Sequence, residues 1–241
     1  MKAYYKTDVG NKRERNEDAI YYDNSGDFII AIVADGMGGH KSGDVASKIA
    51  IETAADYFNR NIGKFMELPL EFLMDIFKTS SMRIFDVASK EPECKGMGTT
   101  MTMVLVNRKT GKLYVGNIGD SRTYIVRKDE ILQVTEDHSL VNEMFKKGQI
   151  TKDELSTHPQ RNVLTKSLGT YNDVEPDFYI EDLYDIDSII LCSDGLTNYI
   201  DKVEIKDIVM NNRGEEIVDR LVSEANARGG SDNISVIVIN N

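Results

Sequence analysis

Cysteine, proline and long apolar runs are all scarce in this chain of 241 residues. Two cysteines, Cys94 and Cys192, stand far apart, which excludes a disulfide framework and the paired spacing of a zinc site. They are expected to be small buried or half-buried thiols of a reducing compartment. Only four prolines occur, and no Pro/Gly/Ser-rich stretch divides the chain, so a single domain over 1–241 is expected. No segment approaches the ~20 apolar residues of a membrane span. The first 18 residues hold no apolar signal core, and the expectation is a soluble, cytoplasmic protein. Basic charge is also in deficit. Lys and Arg number 29 against 40 Asp and Glu, a net charge of −11. A chain this acidic repels nucleic-acid backbones and anionic membranes. Its acids serve solubility alone or gather to hold cations, and their positions bear on that choice.

The apolar residues present are patterned. Residues 28–34 (FIIAIVA), 99–106 (TTMTMVLV), 112–115, 121–127 (SRTYIVR), 188–191 (SIIL) and 233–239 (NISVIVI) read as strands. Several are apolar on both parities, as strands covered on both faces are. In 43–58 the rows Val45/Ile49/Thr53/Tyr57 and Ala46/Ala50/Ala54/Phe58 make a helical stripe. Pro69 opens a second helix, continuing through Leu73, Ile76, Phe77, Ile84 and Val87. Ile217, Val218, Leu221, Val222 and Ala225 form a third stripe, stopped by Gly229 and Gly230. This order does not alternate strand and helix, which argues against a doubly wound parallel sheet. Short turns at 107–111 and 116–121 predict antiparallel neighbours. The expectation is an α+β fold of two packed antiparallel sheets with helices outside. The polar segment 142–173 reads as a surface flap.

Four aspartates occupy one kind of setting. Asp35, Asp120, Asp194 and Asp232 each lie where an apolar strand meets a glycine-containing turn. Any one Asp–Gly pair is an ordinary turn feature. Four at strand ends can converge on one sheet edge. Two carboxylates ~4 Å apart repel by about 4 kcal/mol at an effective dielectric near 20, so such a cluster takes up protons or cations. An all-oxygen donor set suits magnesium or manganese rather than zinc. Upstream, Arg13 stands close to Glu17 and Asp18. The stretch is either an exposed mixed-charge loop or a planar donor fork facing a phosphate beside two acids facing metals.

Seven segments in order resemble the metal-dependent protein phosphatases of type 2C, in particular the bacterial single-domain members. They are Gly10-Asn-Lys-Arg13-Glu-Arg-Asn16-Glu17-Asp18, Val33-Ala-Asp35-Gly36-Met-Gly38-Gly39, Gly98-Thr99-Thr100, Gly116-Asn117-Ile118-Gly119-Asp120-Ser121-Arg122, Asp137-His138-Ser139, Cys192-Ser193-Asp194-Gly195-Leu196 and Asp232-Asn233-Ile234-Ser235. The resemblance implies an αββα sandwich with two or three Mn2+ or Mg2+ ions at one edge. By matching position, Asp35 bridges two ions and the Gly36 carbonyl binds one of them. Asp194 and Asp232 bind the other, while Glu17 and Asp18 act mostly through water. Asp120, with Asp194, holds a third and weaker ion. Arg13 binds the phosphate. The implied activity is hydrolysis of phosphoserine and phosphothreonine on proteins by a hydroxide shared between two ions, opposing a bacterial Ser/Thr kinase, in a monomer. Met37 stands where many eukaryotic members have a histidine proposed as the acid for the leaving group. His40 and a water on the third ion are the candidates for that role here. Two other readings are a non-catalytic member that only binds phosphoproteins and a structural calcium protein. The first would usually have lost metal aspartates, and the second leaves Arg13 unexplained.

Overall fold

The computed structural model describes residues 1–24, 26–38, 42–128, 130–170 and 174–241. Two antiparallel sheets form the centre. One has the order β1 (Lys2–Asp8), β11 (Ile234–Asn240), β10 (Ser188–Cys192), β7 (Arg122–Arg127), β8 (Glu130–Gln133). The other runs β2 (Asp18–Asp23), β3 (Phe28–Met37), β5 (Met101–Asn107), β6 (Lys112–Ile118), β9 (Asp177–Asp182), with β4 (Gly98–Thr99) paired to the end of β3. The helices are α1 (Gly43–Glu67), α2 (Pro69–Lys90), α3 (Leu140–Lys146), α4 (Asp194–Thr197), α5 (Lys202–Asn211) and α6 (Glu216–Ala227). Among the described residues no helix is long and apolar enough to cross a membrane.

The strands apolar on both parities have a simple physical reason. Successive side chains point to opposite faces, and here both faces are covered. In β3, Ile29, Ala31 and Val33 enter the layer between the sheets, beside Val104, Val115, Ile125, Leu191 and Ile237. Ile30, Ile32 and Ala34 face the other way, onto α1 and α2 through Ala46, Ala50, Phe72 and Ile76. On the far side, Ile190, Cys192, Val236 and Val238 pack against Ile205, Val209, Ile217 and Leu221 of α5 and α6. The result is the expected αββα sandwich.

The turn at 116–121 corrects one expectation. It does not join antiparallel neighbours, because β6 and β7 lie in different sheets. Gly119, at φ +99°, redirects the chain from one sheet to the other. A tight glycine turn has the same sequence signature whether it closes a hairpin or turns a corner. The strand expected at 99–106 is also interrupted, at Thr100, which leaves the ladder to hold Asp35. α1 outlasts its apolar stripe, continuing past a kink at Asn61 to Glu67. The flap region begins inside α3, is mostly exposed from 147 to 162, and its residues 171–173 lie outside the described residues.

Candidate metal centre

Register brings the acids to one edge of the sandwich. β2 and β3 pair so that Asp18 faces Asp35 directly. In the other sheet, Cys192 at the end of β10 pairs with Arg122 at the start of β7 and with Val236 near the start of β11. The residues just beyond these ends are Asp194, Asp120 and Asp232. The sheets pack face to face, so the two sets meet. Asp35 lies in the field of Asp18, Asp194, Asp120 and Asp232.

The small polar residues of the motifs fix these acids. Thr100 Oγ1 accepts from the Asp35 N–H at 3.0 Å, its own N–H donates to the Asp35 carbonyl at 2.9 Å, and Thr99 Oγ1 donates there at 2.8 Å. Ser193 Oγ donates to Asp18 Oδ2 at 2.8 Å and accepts from the Ser235 N–H at 2.9 Å. The Asn233 side chain donates to the Val9 and Arg15 carbonyls, at 2.9 Å each, and accepts from the Glu17 N–H at 2.8 Å. One buried amide thus shapes the loop that carries Arg13 and Glu17. Gly36 is required by close approach: a Cβ there would lie 2.1 Å from the Gly43 carbonyl oxygen, at the start of α1. Thr99, Thr100, Ser193 and Asn233 stand inside the motifs, where the sequence alone gives them no role. Their position beside each aspartate was the available signal.

Electrostatics marks the cluster as starved of positive charge. Burial, against the opposing pull of the Ser235 and Ser193 hydrogen bonds and with repulsion from Asp194 and Asp232, raises the Asp18 carboxyl to about 7. Burial and the charges of Asp194 and Asp137 raise Asp120 to about 8, although Arg122 pulls the other way. Asp35 is held well above the carboxylate range by burial and by Asp18. Asp194 is raised by burial and by Asp232. Glu17 is raised by burial, which outweighs the attraction of Arg13. Buried oxygens Oδ1 of Asp18 and Oδ1 of Asp194 have no hydrogen-bond partner. Buried polar atoms are normally paired, and orphaned carboxylate oxygens beside other acids suit hard divalent cations. Among the described residues no group of three or more His, Cys, Asp or Glu side chains is disposed to hold a metal ion. The fit therefore rests on donor chemistry and on these orphaned oxygens.

Arg13 lies at the rim, its side chain 51% exposed, with Nη2 on Asp232 Oδ2 at 2.9 Å. Cys192 is buried, and burial pushes its thiol up to about 12, the opposite of an activated nucleophile. His40, the candidate proton donor, lies outside the described residues. The remaining expected site residues, Arg13, Glu17, Asp18, Asp35, Gly36, Asp120, Asp194 and Asp232, lie around this one edge.

Comparisons with known proteins agree with this architecture. Residues 10–235 match the family model described as Protein phosphatase 2C. The chain is 36% identical over 242 residues to a Listeria welshimeri protein named serine/threonine phosphatase stp, covering 99% of this chain and 95% of that one. It is 37% identical to protein phosphatase PhpP of Streptococcus pneumoniae, over 99% of this chain and 97% of the relative. The crystal structure of serine/threonine phosphatase Stp1 from Staphylococcus aureus superposes with a TM-score of 0.91 at 36% identity, covering 99% of this chain and 94% of that one. With seven motifs in order, two sheets between helical layers and a cluster of carboxylates at one edge, the chain belongs to the protein phosphatase 2C family.

Proposed function

We propose that this protein hydrolyses phosphoserine and phosphothreonine on other proteins, using two or three magnesium or manganese ions. The observation that carries this reading is the convergence of Asp18, Asp35, Asp120, Asp194 and Asp232 on one edge with Arg13 at the rim. Asp35, the Gly36 carbonyl, Asp194 and Asp232 would hold the principal ions, with Glu17 and Asp18 acting through water. Asp120 and Asp194 would hold a third. Ions held there would lower the pKa of water and offset charge on phosphate oxygens.

The chain's own residues do the rest. Thr99 and Thr100 clamp the backbone of Asp35, so its carboxylate is placed before substrate arrives. Arg13 offers a planar fork of donors to non-bridging phosphate oxygens. Its pairing with Asp232 aims the guanidinium at the acid edge. A non-catalytic phosphoprotein binder has no use for five buried or half-buried carboxylates at one edge. Cytoplasmic residence, a monomeric state and opposition to a Ser/Thr kinase complete the proposal. A phosphoproteome comparison of cells with and without the protein tests the last.

The direct test is hydrolysis of p-nitrophenyl phosphate and of a phosphothreonine peptide, with manganese and after thorough chelation. Turnover that persists in the chelated sample overturns the proposal.

A further inference from the structure

His138 is buried, 8% exposed, and takes no part in the chemistry above. Its two ring nitrogens meet different partners. Nδ1 faces the Gly119 backbone N–H at 3.1 Å. A backbone N–H only donates, so Nδ1 is the acceptor and the proton of the neutral ring sits on Nε2. Nε2 in turn faces Asp177 Oδ2 at 3.1 Å. The backbone of His138 grips the same glycine, its N–H donating to the Gly119 carbonyl at 2.9 Å. Asp177 is itself braced, with Lys166 Nζ 3.8 Å from Oδ1 and the Tyr179 hydroxyl 3.5 Å from Oδ2.

Gly119 needs an external hold. It has φ +99°, and a Cβ there would stand 2.5 Å from Thr100 Cγ2. A residue this free in conformation immediately precedes Asp120 at the corner between the sheets. Whatever fixes the Gly119 peptide fixes the direction in which Asp120 leaves the turn. We infer that His138 is a positioning residue for Asp120: Nδ1 holds the Gly119 turn, and Asp177 holds the imidazole in the tautomer that can do so. The logic is that of a carboxylate orienting a histidine whose far nitrogen does the work. The inference rests on the reading that Asp120 helps to hold the third, weaker ion. It extends to the flap, because the His138 carbonyl accepts from the Thr165 N–H at 2.9 Å, placing flap root and Asp120 turn on one residue.

The test is calorimetric titration of the full chain with Mn2+, paired with NMR measurement of hydrogen exchange at the Gly119 amide. His138→Gln removes the Nδ1 acceptor. Asp177→Asn permits the wrong tautomer. Each should weaken the loosest Mn2+ site about 10- to 100-fold, the range for lost orienting partners, leave the tighter sites intact and deprotect the Gly119 amide. His138→Asn places an oxygen where Nδ1 stood and should keep the loosest site within about threefold, well inside that range. Asp120→Asn separates the two ideas. If it leaves every site unchanged, the reading of Asp120 fails and the inference goes with it. If Asp120→Asn abolishes the loosest site while Asp177→Asn and His138→Gln keep it with Gly119 protected, the inference alone is overturned. A His138→Asn variant as weak as His138→Gln also overturns it. Should the His138 variants fail to fold by circular dichroism, Asp177→Asn, with its side chain 38% exposed, decides alone.

Discussion

Asp18 and Asp35 face one another across β2 and β3, and like charges directly opposed destabilise a sheet. Protons or cations relieve that repulsion, and the proposed function assigns the role to cations. Asp35→Asn should therefore act in opposite directions on two measurements. Metal-dependent turnover should fall by more than about 100-fold, beyond the loss typical of a partner that merely orients a ligand. The chelated variant should melt higher than the chelated parent, by about 2–4 °C for each kcal/mol of repulsion removed. Steady-state kinetics and calorimetry read the two effects. Arg13→Ala should lower kcat/KM by about 10²- to 10³-fold, as loss of a charge-stabilising donor does. Arg13→Lys should recover only part of it, because an ammonium lacks the two-pronged geometry. At this scale the sequence singled out the acids that the fold brings to one edge. It was silent on Thr100, Ser193 and Asn233, whose value lies in which backbone groups the fold sets beside them.

The contact between the end of β3 and the start of α1 is made by two glycines. A Cβ on Gly36 would fall 2.1 Å from the Gly43 oxygen, and one on Gly43 would fall 2.6 Å from Glu17 Oε2. Backbone cannot move aside as a flexible side chain can. Gly36→Ala should cost at least the ~1–3 kcal/mol of an overpacked core and lower activity further by displacing Glu17, which a denaturant melt and a kinetic assay would separate. The flap is a second element with a distinct expectation. Removal of its exposed part should change rates on phosphoproteins more than rates on small aryl phosphates. Equal losses on both substrates would argue that the flap supports the centre rather than the entrance. The corner at Gly119 shows where element-level reading failed. Strand pairing is decided by which apolar faces find each other, and the turn residues at 116–121 carry no record of whether the next strand returns to the same sheet.

For the whole molecule, the raised carboxyl groups link stability to pH. Asp18, at about 7, and Asp120, at about 8, stand above the about 3.9 of an unfolded aspartate. Between those values the folded chain binds more protons than the unfolded one, so stability falls as pH rises. The chelated protein should therefore lose melting temperature progressively from about pH 4 through 7 to 8. Added Mg2+ or Mn2+ should flatten that slope, since the ions compete with the same protons. Metal affinity should rise over the same interval. Calorimetric melts across pH, with and without the metals, measure both. A chelated protein whose melting temperature climbed with pH would contradict the charge-starved cluster described here.

Local chemistry was sufficient to determine the inner strands β3, β5, β6, β7, β10 and β11, the helical stripes of α1, α2 and α6 and the acidic turns, because each depends on neighbours within a few residues; it did not mark the edge strands β1, β2, β8 and β9. The long α+β order and the doubly apolar strands also carried the two-sheet sandwich. Only the tertiary structure decided that β6 and β7 part company, that Asp18 opposes Asp35, and that His138 grips Gly119 while Asn233 ties down residues more than 200 positions earlier. Those relations are set by register and by packing between sheets, and register is fixed when apolar faces are buried together, a condition that no short stretch of sequence contains.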